Sequence, residues 1–238
     1  MKIIHIADIH ASRERFPLVK KVFTTLINRV EENDIDYVLF AGDFWDCTIT
    51  NTEASHFTDY MSLMNKLSKK THVIMIYGTP SHEPAGSLNC FSFCNADVIQ
   101  SYSPCIVNYK DILVIALPEP RLSLIKGNSL DEKYQEIKNE KENLLKELSQ
   151  TERKNKHSIC IFHGDVAGMK YQNGQIIPNS ETAYTIDFLR SLNCEYYAGG
   201  HIHEPSLLEH GLNGGYSGSA YPLNFGETHD AGFIEVEL

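Results

Sequence analysis

The amino-acid sequence reads as an α/β protein with parallel strands at its start, and three observations carry that expectation. Short apolar runs alternate with longer stretches of helical periodicity. The first of them follow the order strand, helix, strand, helix, strand, which favours parallel pairing. Several of the runs stop abruptly at clusters of Asp, His and Gly.

Taken in chain order, KIIHIA at the amino end is strand-like, and Val19, Val22, Phe23, Leu26, Ile27 and Val30 recur at helical spacing. YVLFA is a second buried strand. Phe57, Tyr60, Met61, Met64 and Leu67 mark a second helix, and VIMIY a third strand. Further strands are expected at ILVIAL (112 to 117), SICIF (158 to 162) and YYA (196 to 198), with YSGSA and FIEVEL closing the β structure. The stretch from Leu130 to Lys156 is rich in Lys, Glu, Asn and Gln, with Ile137, Leu144, Leu145 and Leu148 on one side. It reads as a helix whose charged face is solvated. No internal repeat or low-complexity linker interrupts the chain.

With 238 residues and 42% hydrophobic content, the chain is expected to form one soluble globular domain over residues 1–238. The start, MKIIHIADIH, lacks the layout of a signal peptide. No apolar run approaches the ~20 residues that span a bilayer, so the expectation is a cytoplasmic protein without a membrane partner. Cys47, Cys90, Cys94, Cys105, Cys160 and Cys194 show no paired CxxC spacing and read as reduced, structural thiols. The 31 acidic against 21 basic residues, a net charge of −10, argue against a broad cationic surface for nucleic acid.

Five apolar runs end in the same chemistry. KIIHI leads to Asp8-Ile9-His10, YVLFA to Gly42-Asp43-Phe44-Trp45-Asp46, and VIMIY to GTPSHE with His82. SICIF leads to His163-Gly164-Asp165, and YYA to Gly199-Gly200-His201-Ile202-His203. Each alone is an ordinary turn, but strand ends of an open α/β sheet form one rim where ligands gather. Asp and neutral His are the usual donors to Mn, Fe and Zn, whereas Mg and Ca favour all-oxygen cages. Residues at i and i+2 of an extended segment face the same way, pairing Asp8 with His10 and His201 with His203. Asp8, His10, Asp43, His163, His201 and His203 are too many ligands for one catalytic ion and suit two that share a carboxylate. Such ion pairs recur in phosphoester hydrolysis.

These blocks resemble the calcineurin-like metallophosphoesterase superfamily, whose motifs are DxH, GDxxD, GNH[DE], a lone His and GHxH, all present here in order. The resemblance implies a metallophosphoesterase-type β-sandwich flanked by helices, four layers αββα. YSGSAYPLNFGETHDAGF, from Tyr216 to Phe233, further resembles the end of the nuclease domain in the DNA double-strand-break repair branch. That branch includes the nuclease subunit of the bacterial SbcCD complex. Carried over, the resemblance implies that Asp8, His10, Asp43 and His203 hold one metal, and that Asp43 bridges to a second bound by His163 and His201. It implies that His82 contacts the scissile phosphate and acts as general acid, with Asp46 and Glu83 orienting neighbouring groups. Two divalent ions are implied, Mn foremost, with Fe or Zn as alternatives.

The family asparagine before the motif histidine is here Ser81. Either Ser81 or a water completes the second site, or Thr79 takes part, because GTPSHE is two residues longer than GNHE. A weaker second site is expected. Trp45 reads as packing, and His5, His56, His72, His157, His210 and His229 lie outside the motifs. The leading function is a Mn-dependent DNA nuclease, exo- or endonucleolytic, in repair or recombination. The alternatives are a phosphoesterase for small molecules or phosphoproteins and, on the Ser81 departure alone, a non-catalytic scaffold. Relatives in the repair branch continue into a capping domain and a region that docks on an SMC-like ATPase. The expectation is a nuclease domain without either. Such an ATPase partner and homodimerisation through surface helices enter by resemblance only.

Overall fold

The computed structural model describes residues 1–46, 54–154, 156–171 and 173–238, with side chains at the start of the second helix described from residue 57 onward. Cys47 and the side chain of His56 lie outside the described residues.

The chain runs β1 (Lys2–Ile6), α1 (Phe16–Asn33), β2 (Tyr37–Ala41), α2 (Ala54–Ser68), β3 (His72–Ile76), a 3-10 helix (Asn89–Cys94) and β4 (Ala96–Val98). It continues through β5 (Cys105–Asn108), β6 (Ile112–Leu117), α3 (Leu130–Gln150), β7 (His157–His163) and α4 (Ile186–Leu192). It ends with β8 (Tyr196–Gly200), β9 (Ser206–Leu207), β10 (Gly214–Tyr216) and β11 (Ile234–Glu237). One sheet has the order β11-β1-β2-β3-β4, the other β5-β6-β7-β8-β10-β9. Strands β1 to β4 and β6, β7, β8 and β10 are parallel, the antiparallel strands β11, β5 and β9 lie at three sheet edges, and β4 lies at the fourth.

Side-chain alternation sorts these strands into layers. Ile3, Leu39 and Ile74 of the first sheet meet Val114, Ile159 and Ala198 of the second in a core between the sheets. Their neighbours Ile4, Val38 and Met75 face the other way, onto Phe23 and Leu26 of α1 and Met64 of α2. On the second sheet Ile115, Cys160 and Tyr197 face out onto Leu144 and Leu148 of α3 and Leu189 of α4. Each fully buried Ile, Leu or Val contributes about 1.5–3 kcal/mol. Because the sheets are apolar on both faces, their strands read as unbroken apolar runs. The result is the four-layer αββα arrangement expected from the sequence.

The charged helix α3 stops at Gln150, short of the expected end, and its start is capped by the Ser129 hydroxyl accepting from the Glu132 amide at 3.2 Å. The short elements β4, β5, β9 and α4 escaped the periodicity, which needs longer windows to register. No helix among the described residues is long and apolar enough to cross a membrane. The five described cysteines are free thiols.

His5 is a polar residue within the inter-sheet layer. His5 of β1 is fully buried, with Nδ1 at 3.2 Å from the Tyr196 hydroxyl and Nε2 at 3.0 Å from the Gly199 carbonyl oxygen of β8. Burial pulls the ring down to about 4, partly offset by that carbonyl. His5 is therefore a neutral, fully hydrogen-bonded tie between the sheets, just beneath the rim.

Candidate metal centre

The rim is assembled by loops leaving β1, β2, β3, β7 and β8. Beyond β1 and β2 the chain keeps a ladder going: Asp8 N donates to Gly42 O (3.1 Å), His10 N to Asp43 O (3.0 Å) and Ala11 N to Phe44 O (2.7 Å). Within it Asp8, His10 and Asp43 adopt left-handed backbone (φ 51, 43 and 52), and His201 has φ 104. Each such residue costs on the order of 1 kcal/mol when it is not glycine. Four of the six residues expected as ligands are thus held in conformations that the surrounding fold must impose.

The donor atoms converge in two groups, Asp8 with His10 and His203, and Asp43 with His163 and His201, each group lying within 4.8 Å. Asp43 Oδ2 stands between them, 3.9 Å from His10 Nε2 and 3.3 Å from His163 Nε2. His10 Nε2 and His203 Nε2 are 3.2 Å apart. The outward ring nitrogens are held by the fold: His163 Nδ1 at 2.7 Å from Ala41 O, His10 Nδ1 at 3.3 Å from Asp46 Oδ1, and His203 Nδ1 at 3.2 Å from Glu227 Oε1. This is the arrangement by which carboxylates and carbonyls orient metal-binding imidazoles.

Charge in the cluster is unbalanced. Burial pushes the Asp8 carboxyl up to about 8, against the pull of His163. Burial drives Asp43 up too, but His163 and His10 outweigh it and hold that carboxyl below the usual range. Burial lowers His10 to about 4 and also lowers His201. His163 is opposed by burial yet lifted to about 10 by Asp43. Beside His201, two acceptors have no hydrogen-bond partner: Asp165 Oδ1, 3.5 Å from Nε2, and Glu119 Oε2, 3.9 Å from Nδ1. Buried lone pairs with too few protons among them are what a divalent cation satisfies, so these residues fit two such ions.

At the third strand end the sequence left both Ser81 and Thr79 open. Ser81 is exposed at the outside of the turn, whereas Thr79 points inward, its Oγ1 3.2 Å from His163 Nε2 and its amide 2.6 Å from Asp43 Oδ1. Thr79 follows Gly78 as the family asparagine follows its glycine, and the two extra residues, half-buried Pro80 and exposed Ser81, stand between it and His82. Of the two hydroxyls, that of Thr79 is the one turned toward the ligand groups. His82 lies in the cleft, its ring edge-on to His10 at 4.7 Å between centroids, with Nδ1 2.7 Å from the Asp46 carbonyl oxygen. His10, Asp46 and His82 form a third convergent group.

Glu83 holds backbone groups. Fully buried, it accepts from the amides of Phe44 (2.7 Å) and Gly78 (2.6 Å), binding the β2 and β3 loops together. Burial and the Asp43 charge push it up to about 7. Trp45 is buried and stacks on Phe91 at 5.4 Å, as packing. Two glycines bring the layers this close. A Cβ on Gly42, where φ is +87°, would lie 2.3 Å from His163 Nδ1, and one on Gly200 would lie 2.1 Å from Ala41 O.

The sequence alone did not single out Arg15, Glu119 or Glu227. Arg15 Nη1 is 3.0 Å from Asp46 Oδ1. Glu227 gathers His203, Ser219 Oγ (3.1 Å), the Leu223 amide (2.8 Å) and Asn224 Nδ2 (3.0 Å), and it stands 24 residues from the histidine it holds. No local pattern announces a contact of that kind. Together the site forms an open cleft of about 360 Å³ lined by His10, Arg15, Asp43, Thr79, His82 and His203, among others.

The chain is similar in sequence or in fold to several known proteins. The chain is 25% identical over 245 residues to the SbcD subunit of the nuclease SbcCD from Staphylococcus epidermidis, covering 97% of this chain and 64% of that protein. It is 25% identical over 265 residues to the DNA double-strand break repair protein Mre11 of Methanopyrus kandleri, covering 100% of this chain and 54% of that protein. The chain therefore spans between half and two thirds of the length of these relatives. Its fold is similar to that of a dimetal phosphatase from Danio rerio, with a TM-score of 0.56 and 11% identity over 91% of this chain and 86% of that one. The family model for calcineurin-like phosphoesterases matches residues 1–205, and the chain belongs to that family of metal-dependent hydrolases.

Proposed function

We propose that the chain is a Mn-dependent DNA nuclease whose cleft hydrolyses a phosphodiester, and that residues 1–238 act as its nuclease domain. The observation that carries this reading is the position of His82, in the cleft beside the first ligand group and outside both ligand sets. In this reading Asp8, His10, Asp43 and His203 hold one ion, and Asp43, His163, His201 and Thr79 the other. The chemistry that two divalent ions supply when bound there is activation of water and neutralisation of charge on the phosphoryl oxygens.

The residues of the chain do the rest. His82 Nδ1–H donates to the Asp46 carbonyl oxygen and fixes the ring. In its imidazolium form the Nε2 proton is free to pass to the departing sugar oxygen as the P–O bond breaks and the water oxygen bonds to phosphorus. Asp46, held by Arg15, keeps His10 turned toward the ligand group. The nuclease assignment draws on the similarity to the SbcCD nuclease subunit and to the double-strand-break repair protein; an SMC-like ATPase partner enters by the family resemblance alone.

A second reading, hydrolysis of small phosphoesters, is favoured by the net charge of −10 and by a cleft whose lining arginine is already paired with Asp46. The test is incubation with Mn and labelled linear duplex or single-stranded circular DNA, beside His82→Ala and an aryl phosphodiester. Cleavage of DNA by the wild type, with an inactive variant that still binds its metals, supports the nuclease. Cleavage of the aryl ester alone would move the assignment to small phosphoesters.

A further inference from the structure

Phe225 is the most exposed large apolar side chain among the described residues. A solvent-bathed aromatic ring is unfavourable, and its position gives it a use. Residues 223–227 form a loop pinned from both sides: Glu227 accepts from the Leu223 amide and from Asn224 Nδ2, and Asn224 Oδ1 accepts from the Gly226 amide at 2.8 Å. The same Glu227 carboxylate holds His203. Leu223 and Asn224 line the cleft together with His10, His82 and His203. Phe225 therefore follows directly in sequence on the cleft-lining Asn224, and its loop is fixed by the carboxylate that orients a ligand histidine.

The cleft is also poor in positive charge. Among the described residues that line it, Arg15 is the only Lys or Arg, and Asp46 occupies its guanidinium. Within the cleft lining a polymer finds no unpaired Lys or Arg for its phosphates, the usual grip of nucleic-acid grooves. Every base offers a π-face, however, and stacking on an aromatic side chain is independent of sequence.

We propose that Phe225 is a stacking platform for the base of a nucleotide flanking the scissile phosphate, so that the cleft selects unpaired nucleotides whose base faces are free. This rests on the nuclease reading above. Bases inside a duplex have both faces covered and gain nothing from the ring.

The experiment compares wild type, Phe225→Ala and Phe225→Trp on single-stranded oligonucleotides, intact or carrying one abasic nucleotide at successive positions. A Mn-induced shift in melting temperature serves as the control for an intact metal centre. Phe225→Ala is expected to lower kcat/KM on intact strands by about tenfold, within the range of one lost base–aromatic stack, and Phe225→Trp to retain it. One abasic position should slow the wild type and make no difference to Phe225→Ala, the sign of a shared contact. If wild type cuts DNA and Phe225→Ala, with its Mn shift intact, cuts equally fast, the platform is wrong and the nuclease stands. If wild type cleaves an aryl phosphodiester but no DNA, the nuclease reading falls and the platform with it.

Discussion

The backbone amide of Thr79 donates to Asp43 Oδ1 at 2.6 Å, while the Thr79 hydroxyl lies 3.2 Å from His163 Nε2. One residue thus touches both the carboxylate between the two ligand groups and a histidine of the second group. A threonine hydroxyl is a weaker donor to a cation than an amide oxygen, so Mn titration by calorimetry is expected to show two unequal affinities. Thr79→Ala should weaken the looser site by about tenfold and Thr79→Asn should tighten it. Ser81→Ala should alter neither, and a loss of metal on that change would return the ligand role to Ser81.

Glu227 fixes the other end of the centre. Its two oxygens accept four hydrogen bonds, and the isosteric Glu227→Gln can accept on one side only. His203 then loses its fixed orientation. Mn affinity should fall about 10- to 100-fold, the range for a lost partner of a metal-binding histidine. An unchanged titration curve would show that His203 holds its position without the carboxylate.

At Gly200 the two sheets approach closely under the site. A Cβ there would lie 2.1 Å from Ala41 O and 2.7 Å from Ala7 Cβ, both on a strand or its immediate continuation. Backbone cannot swing aside as a side-chain tip can. Gly200→Ala is expected to cost about 3 kcal/mol or to prevent folding, whereas Gly232→Ala, which meets nothing within 4 Å, should be near neutral. Chemical denaturation of the two variants measures the contrast.

His5 gives stability a pH dependence of defined sign. Its ring is held to about 4 in the folded protein by burial, against about 6.5 when unfolded. Above pH 6.5 both states are neutral and the residue adds no slope. Between pH 6.5 and 4 the unfolded chain takes up a proton that the folded protein refuses, so stability falls as pH falls, by about 3 kcal/mol over the window. His5→Gln cannot take that proton. The difference in unfolding free energy between wild type and variant should shrink by that amount from pH 7 to pH 4, with the carboxylates common to both cancelling. A difference that stays constant would mean that His5 is protonated in the fold.

Local pattern along the chain was enough to specify the layers and the chemistry of the rim. Strands buried on both faces leave unbroken apolar runs, and amphipathic helices leave a 3.6-residue period, so β1, β2, β3, β6, β7, β8 and α1 to α3 were legible from it. The Asp, His and Gly clusters at the ends of those runs were legible for the same reason, since each is contiguous in the chain. The order of strands in the two sheets, the left-handed backbone at Asp8, His10, Asp43 and His201, and the Glu227–His203 contact emerged only once the chain was folded. The placement of Thr79 beside the ligand groups, with Ser81 outside them, belongs with these. Two residues two positions apart, both hydroxylic and both following Gly78, are locally equivalent. What separates them is that Thr79 N finds Asp43 across 36 residues of sequence, while Ser81 is left facing water. Contacts between distant segments depend on how the sheets pack, and that packing has no local signature.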